Sequence, residues 1–149
     1  MAYLIDTNIL GRLANAADSF HLAARTAVTE LHQRGEILHL TSQVLIEFRN
    51  IATRLAKVNG LGLPVSTAEA FAADYEATFP LLDETPDIYP AWKDIVTTLG
   101  VIGKQVHDAR LVAVCHVHAV THLLTFNVAH FVRMATFGPG VVIIDPATV

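Results

Sequence analysis

Met1-Ala2-Tyr3-Leu4-Ile5-Asp6-Thr7-Asn8-Ile9-Leu10 opens the chain and decides how the rest is read. Tyr3, Leu4 and Ile5 form a short continuous apolar run, the pattern of a strand covered on both faces. Asp6 ends the run. Thr7 and Asn8 are helix-capping types, and Ile9, Leu10 and Leu13 resume at helical spacing. The stretch predicts a central strand that delivers one carboxylate to its C-terminal end, where a helix begins. In an open α/β sheet, ligands bind at that edge. Asp6 is then a cap or a reacting group, and Thr7 and Asn8 can cap in its place.

Outward from this stretch the pattern alternates. Ile9 to Ala16 reads as a short helix. Asp18 and Ser19 cap a second one that runs to about Arg34, with Leu22, Ala23, Ala27, Val28 and Leu31 on its apolar face. Ile37-Leu38-His39-Leu40 is a short strand. Thr41 and Ser42 open a long helix to about Asn59, with Val44, Phe48, Ile51, Leu55 and Val58 on one face and Glu47 at its edge. Ser66 with Glu69 predicts a capping box for a helix from Thr67 to about Phe79. Leu81-Leu82-Asp83 suits a short strand, and Pro86 to Leu99 a helix. Val106 to Ala119 is the most apolar helix. His122 to Thr125 and Val141 to Ile144 are strands, with a short helix at Val128 to Met134 between them. The sum predicts a three-layer α/β/α fold with a short, mostly parallel sheet, as a single domain over residues 1–149.

Composition narrows the class. With 149 residues the chain is long enough for one well-buried core, and 52% hydrophobic against 16% charged residues suits a fully covered sheet plus apolar surface for a partner. Cys115 is the only cysteine, so no internal disulfide forms, which fits a reducing cytoplasm. The net charge of −4 argues against a broad basic nucleic-acid face. Any such contact is local, through a metal or a small Arg/Lys cluster. The N-terminal apolar run is too short for a signal peptide. Leu111 to Val132 lacks formal charge, but His116, His118, His122, Asn127 and His130 make a bilayer span a poor reading. A buried helix followed by a buried strand accounts for it.

Three acids occupy comparable places. Asp6 ends the first strand, Glu47 follows the second within the first turns of a helix, and Asp108 starts the helix before Leu123-Leu124. Carboxylates that converge on one rim repel each other and lose solvent, which a hard divalent cation relieves. Mg²⁺ or Mn²⁺ suits oxygen ligands and phosphate chemistry.

The words around these acids carry a resemblance. Leu4-Ile5-Asp6-Thr7-Asn8-Ile9-Leu10 resembles the opening of PIN-domain nucleases, in particular VapC-type toxins. Ser42-Gln43-Val44-Leu45-Ile46-Glu47 is similar to their helix with the second acid, and His107-Asp108-Ala109-Arg110-Leu111 to the third-acid motif. Leu124-Thr125-Phe126-Asn127-Val128-Ala129-His130-Phe131 resembles the closing motif. The resemblance implies that Asp6, Glu47 and Asp108 are the catalytic metal ligands for Mg²⁺ or Mn²⁺. Thr7 and Asn8 would order the first carboxylate. Asn127 would give a supporting or water-bridged contact. The family's frequent fourth acid falls on Asn127 or His130, neither a carboxylate. The implied activity is RNA phosphodiester hydrolysis leaving a 5′-phosphate and a 3′-hydroxyl. The implied partners are an RNA substrate, a cognate antitoxin of a type II toxin–antitoxin pair and a second copy in a homodimer.

Other readings remain beside it. Glu47 alone suits a rim acid paired with Arg49 or Arg54, and Asp108 alone suits the helix dipole. Arg110 suits a salt bridge better than an RNA contact. His118 and His122 are four apart, but Ala119 follows His118 where a zincin helix carries Glu. A haloacid-dehalogenase-type phosphatase would use Asp6 as nucleophile and Lys104 as its lysine, yet Asn8 stands where that pattern has a second Asp. A catalytically silent PIN-like binding module is the remaining alternative.

Overall fold

Four short strands, β1 (Ala2–Ile5), β2 (Ile37–His39), β3 (His122–Leu124) and β4 (Val142–Ile144), pair in the order β2-β1-β3-β4, all parallel. The computed structural model describes residues 1–149. β1 lies inside the sheet, and its Leu4 and Ile5 are fully buried, as an uninterrupted apolar strand requires. Its chain leaves toward β2 on one side, whereas β3 leads to β4 on the other. Right-handed crossovers then put these connections on opposite faces of the sheet, which gives the three-layer α/β/α arrangement. The loops that leave β1 and β3 diverge and open a crevice at the carboxyl ends of these two strands.

Seven helices cover the sheet: α1 (Thr7–Ala14), α2 (His21–Gln33), α3 (Ser42–Thr53), α4 (Val65–Thr78), α5 (Ile88–Leu99), α6 (Gln105–Val117) and α7 (Val128–Ala135). α2 packs against β2, α6 against β3 and α7 against β4, while α1 rests on α2 and α3. One hydrophobic core joins them, with Phe48 and Phe131 among its fully buried side chains. The uncharged stretch resolves into α6, β3 and the start of α7. No helix is long and apolar enough to cross a membrane. Cys115 is fully buried in α6, and burial pushes its thiol up to about 12.

Several boundaries differ from the sequence reading, each for a local reason. Asp6, not Thr7 or Asn8, is the N-cap of α1. α2 starts at His21, because Asp18 uses its carboxylate on the Phe20 N–H and not as a cap. Its inward face is Ala24, Ala27 and Leu31, which leaves Leu22 exposed. Ser66 lies inside α4, which starts after Pro64 without a side-chain cap, and Glu69 pairs with Arg49 in place of a capping box. Leu81 makes only a single parallel bridge to Leu40, not a strand.

The largest difference is α3. It stops at Thr53, and Leu55 and Val58 are exposed in and beside a short 3-10 turn at Ala56–Val58. The chain folds back, and the N–H groups of Gly60, Leu61, Gly62 and Leu63 donate to the carbonyls of Leu55, Ile51, Arg54 and Ala52. Those backbone donors satisfy the orphan carbonyls at the helix end. The return passes so close that a Cβ on Gly60 would lie 2.0 Å from the Arg54 oxygen. Gly60→Ala is expected to cost about 1–3 kcal/mol in urea unfolding, because rigid backbone must shift to admit one methyl.

Candidate functional site

Asp6 stands where β1 ends and α1 begins. The Ile5–Leu124 register places the next residue of β3, Thr125, beside it. The Asp6 N–H extends the ladder to the Leu124 carbonyl at 3.0 Å. Three further donors hold the carboxylate. The Thr7 N–H donates to Oδ1 at 2.7 Å, and Asn8 Nδ2 and Thr125 Oγ1 donate to Oδ2 at 2.9 and 2.7 Å. Asn8 is itself oriented by the Phe126 N–H, which donates to its Oδ1 at 3.2 Å.

Glu47 reaches the same edge from α3. Thr41 caps that helix by accepting from the Val44 N–H, so Glu47 falls in its second turn. Thr7 Oγ1 donates to Glu47 Oε2 at 2.7 Å, which links the first acid's neighbour directly to the second acid. Gln43, one turn back, donates to Glu47 Oε1 at 2.8 Å and to the His107 carbonyl at 2.9 Å. It thereby ties α3 to the start of α6. Asp108 lies in the first turn of α6, and its Oδ2 is 3.3 Å from His130 Nδ1 on α7. A groove of about 440 Å³ runs between Glu47, His107 and Asp108.

The electrostatics tie these groups into one rim. Burial pushes Asp6 up to about 6; the Thr125 and Thr7 hydrogen bonds oppose the rise, and the Asp108 and Glu47 charges add to it. Asp108 is also raised, first by burial and further by Glu47, against the pull of His130 and His107. Each acid therefore sits in the field of another, although they are 41 and 61 residues apart in the chain (47 − 6 and 108 − 47). In donor type, a rim of carboxylate oxygens fits a hard divalent cation. As the side chains stand, no three His, Cys, Asp or Glu groups converge closely enough to hold one ion. Asp6 is turned to Thr125 and Asn8, Glu47 to Thr7 and Gln43, Asp108 to His130.

The other expectations separate here. Thr7 and Asn8 both touch acids of the rim. Asn127 is exposed and joins through its backbone alone, its N–H donating to Thr125 Oγ1 at 3.0 Å. Arg110 pairs with Glu84 and donates to Gln43 Oε1, which bears out the salt-bridge reading. Arg49 and Arg54 are engaged with Glu69 and the Asn59 carbonyl, so neither is the partner of Glu47. His118 Nε2 donates to the Asp83 carbonyl, while His122 stacks on Tyr3 at 4.6 Å; the two do not form a zinc pair. Asn8, where the phosphatase alternative would carry its second aspartate, is engaged with Asp6 Oδ2. Thr125 and Gln43 went unrecognised as site residues in the sequence. Thr125 had a signal: it follows the apolar run of β3 as Asp6 follows that of β1.

Similar folds occur in solved structures of low sequence identity. VapBC2 from Rickettsia felis, bound to a promoter DNA fragment, matches with a TM-score of 0.72 at 16% identity over 97% of this chain and 98% of that one. VapBC-1 from nontypeable Haemophilus influenzae matches at 0.70 and 16%, over 98% of each chain. VapC20 from Mycobacterium tuberculosis, described as a Sarcin-Ricin loop cleaving toxin, matches at 0.60 and 22%, over 81% of this chain and 86% of that one. No curated protein matches in sequence. The PIN domain family model matches residues 3–136, from within β1 to just past α7. On that match, which includes all three acids, the chain belongs to the PIN domain family.

Proposed function

We propose that this chain, as one PIN domain over residues 1–149, is a metal-dependent endoribonuclease and the toxin of a toxin–antitoxin pair. The observation that carries the reading is the shared field of Asp6, Glu47 and Asp108, three remote acids on the rim of the β1–β3 crevice. A stable fold has no use for mutually repelling, half-desolvated carboxylates unless a cation joins them. The toxin description of VapC20 and the VapBC relatives support the RNA substrate and a cognate antitoxin. The homodimer and a cytoplasmic setting belong to the same proposal.

Asp6, Glu47 and Asp108 would hold the ion, Mg²⁺ or Mn²⁺ by donor type. Bound there, it supplies polarisation of a phosphate oxygen and a lowered pKa for an attacking water. The protein's own part is orientation. Thr125 and Asn8 fix the Asp6 carboxylate, Thr7 holds Glu47 toward it, and Gln43 locks Glu47 against α6. A rim carboxylate takes the water's proton. The water oxygen bonds to phosphorus as the bond to O3′ breaks, and O3′ takes up a proton. A 5′-phosphate and a 3′-hydroxyl result. Asn127 supports the site through its backbone contact to Thr125. The absence of a ready three-ligand cluster favours one second reading, a silent PIN-like binding module.

RNA cleavage in Mg²⁺ or Mn²⁺ decides between them. Asp6→Asn, Glu47→Gln and Asp108→Asn are each expected to fall to background with the fold retained. A variant with full activity removes that residue from the site, and a wild type with no metal-dependent cleavage leaves the silent module. Thr125→Val, which frees Asp6 without touching the acids, is expected to lose about 10–100-fold in activity or metal affinity. The burial of Asp6 also predicts a pH effect on the metal-free protein. The folded state binds the Asp6 proton more tightly than the unfolded chain, so stability falls as pH rises from about 4 to about 6 and stays low above. The shift is worth up to ~3 kcal/mol. Thermal melts in EDTA should therefore show Asp6→Asn more stable than wild type at neutral pH, with the gain shrinking as pH nears 4.

A further inference from the structure

α1 carries a second polar group close to this rim. Arg12 lies one turn beyond Asn8, and a long helical side chain leans back toward the helix N-terminus, here toward the crevice. Its guanidinium carbon is 4.9 Å from the Phe20 ring centre and 4.8 Å from that of Phe126, and the two rings are 5.3 Å apart. The three groups form a tight triangle. Phe126 ties it to the acids, because its N–H holds Asn8 and its chain neighbour Thr125 holds Asp6.

The guanidinium is held by these faces and by an ion pair to Asp18, yet none of its donors makes a hydrogen bond. Arg12 makes no side-chain hydrogen bond, and its Nε is buried without a partner. The nearest carboxylate oxygen, Asp18 Oδ1, is 3.8 Å away and already accepts from the Phe20 N–H at 2.8 Å. Arg34, Arg49, Arg54 and Arg110 are each engaged with an acceptor; Arg25 and Arg133 have none but stand exposed, without the two rings that hold Arg12. A rigid planar fork with unused donors, beside an aromatic face, matches the needs of a phosphate and the base attached to it. Phe20 is 47% exposed, so one ring remains open to a base. Unpaired bases stack on aromatic and guanidinium planes, which double-stranded nucleic acid does not offer. In a chain of net charge −4, backbone contacts must be few and local, and this is one such place.

We propose that Arg12, Phe20 and Phe126 form a docking subsite for single-stranded RNA beside the acid rim. Arg12 takes a phosphate that flanks the scissile one, and Phe20 takes a base. This rests on the ribonuclease reading and assigns the strand a side of approach, by the last turn of α1 and the start of α2.

Fluorescence anisotropy with a short labelled single-stranded RNA tests it. The measurements use Mg²⁺ and an Asp6→Asn background, which keeps the RNA intact. Adding Arg12→Gln is expected to weaken binding about tenfold and to lower the slope of log K against log salt by about 0.7, the loss of one phosphate contact. Arg12→Lys should restore most of the salt slope but not the full affinity, because a point charge lacks the fork. Phe20→Leu, at an exposed position that folding tolerates, should weaken binding severalfold with the slope unchanged. Arg12→Gln with wild-type affinity overturns the subsite, and so does weaker binding with an unchanged salt slope, since disturbed folding carries no counterion signature. If Arg12→Gln does not fold, Phe20→Leu binding as tightly as its parent overturns the subsite instead. An Asp6→Asn parent that binds no RNA at all overturns the ribonuclease reading, and the subsite with it.

Discussion

The carboxylate of Asp6, sealed between β1, β3 and the first turn of α1, is the constraint on which the rest of the site depends. It is only 6% exposed, and backbone, amide and hydroxyl donors converge on it from two segments, the start of α1 and the end of β3. Those donors oppose the desolvation of the charge, the larger effect, without cancelling it, and Asp108 and Glu47 add repulsion from two further elements. Local instability of this kind concentrates at functional sites, where the surrounding fold supplies the compensation. Here the compensation is a continuous core in which Leu4, Ile5, Ile9 and Leu10, on either side of Asp6, are wholly buried.

Capping α1 does not take Asp6 away from the other acids. The same side chain ends a strand, caps a helix through one oxygen and faces the rim acids with its charge. Asp145 makes the contrast. It too follows a strand and caps the next turn, accepting from the Ala147 N–H. It follows β4 at the edge of the sheet, away from the point where the strand connections diverge, and no second acid joins it. Strand order, not residue type, separates the two.

The rim is built as a chain of contacts in which each acid is held by something other than a neighbouring acid. Thr7 bridges from Asp6 to Glu47, Gln43 from Glu47 to α6, and His130 holds Asp108 from α7. The helices that carry these side chains are packed against their neighbours, α6 on α5 and α7, and α3 on α1. In a net-negative, largely apolar chain the polar contacts of this candidate site are thus concentrated on one edge of the sheet.

Much of this was legible in the chain itself. The unbroken apolar run before Asp6 determined a buried strand with an acid at its end, and the alternation of patterns determined a helix-covered parallel sheet. The four motif words marked Asp6, Glu47 and Asp108. Local pattern failed where a distant segment supplied the hydrogen bonds: α3 ends at Thr53 because residues 60–63 return to its carbonyls, and Glu69 leaves its capping box for Arg49. Only the tertiary structure decided that Thr125 holds Asp6, that Asn127 contributes its backbone and not its side chain, and that Arg12 lies between two rings beside Asp18. Periodicity reports which face of an element is apolar. It carries no information on which strand lies next to which, and β1 beside β3 is the pairing that brings residues 6 and 125 within 2.7 Å.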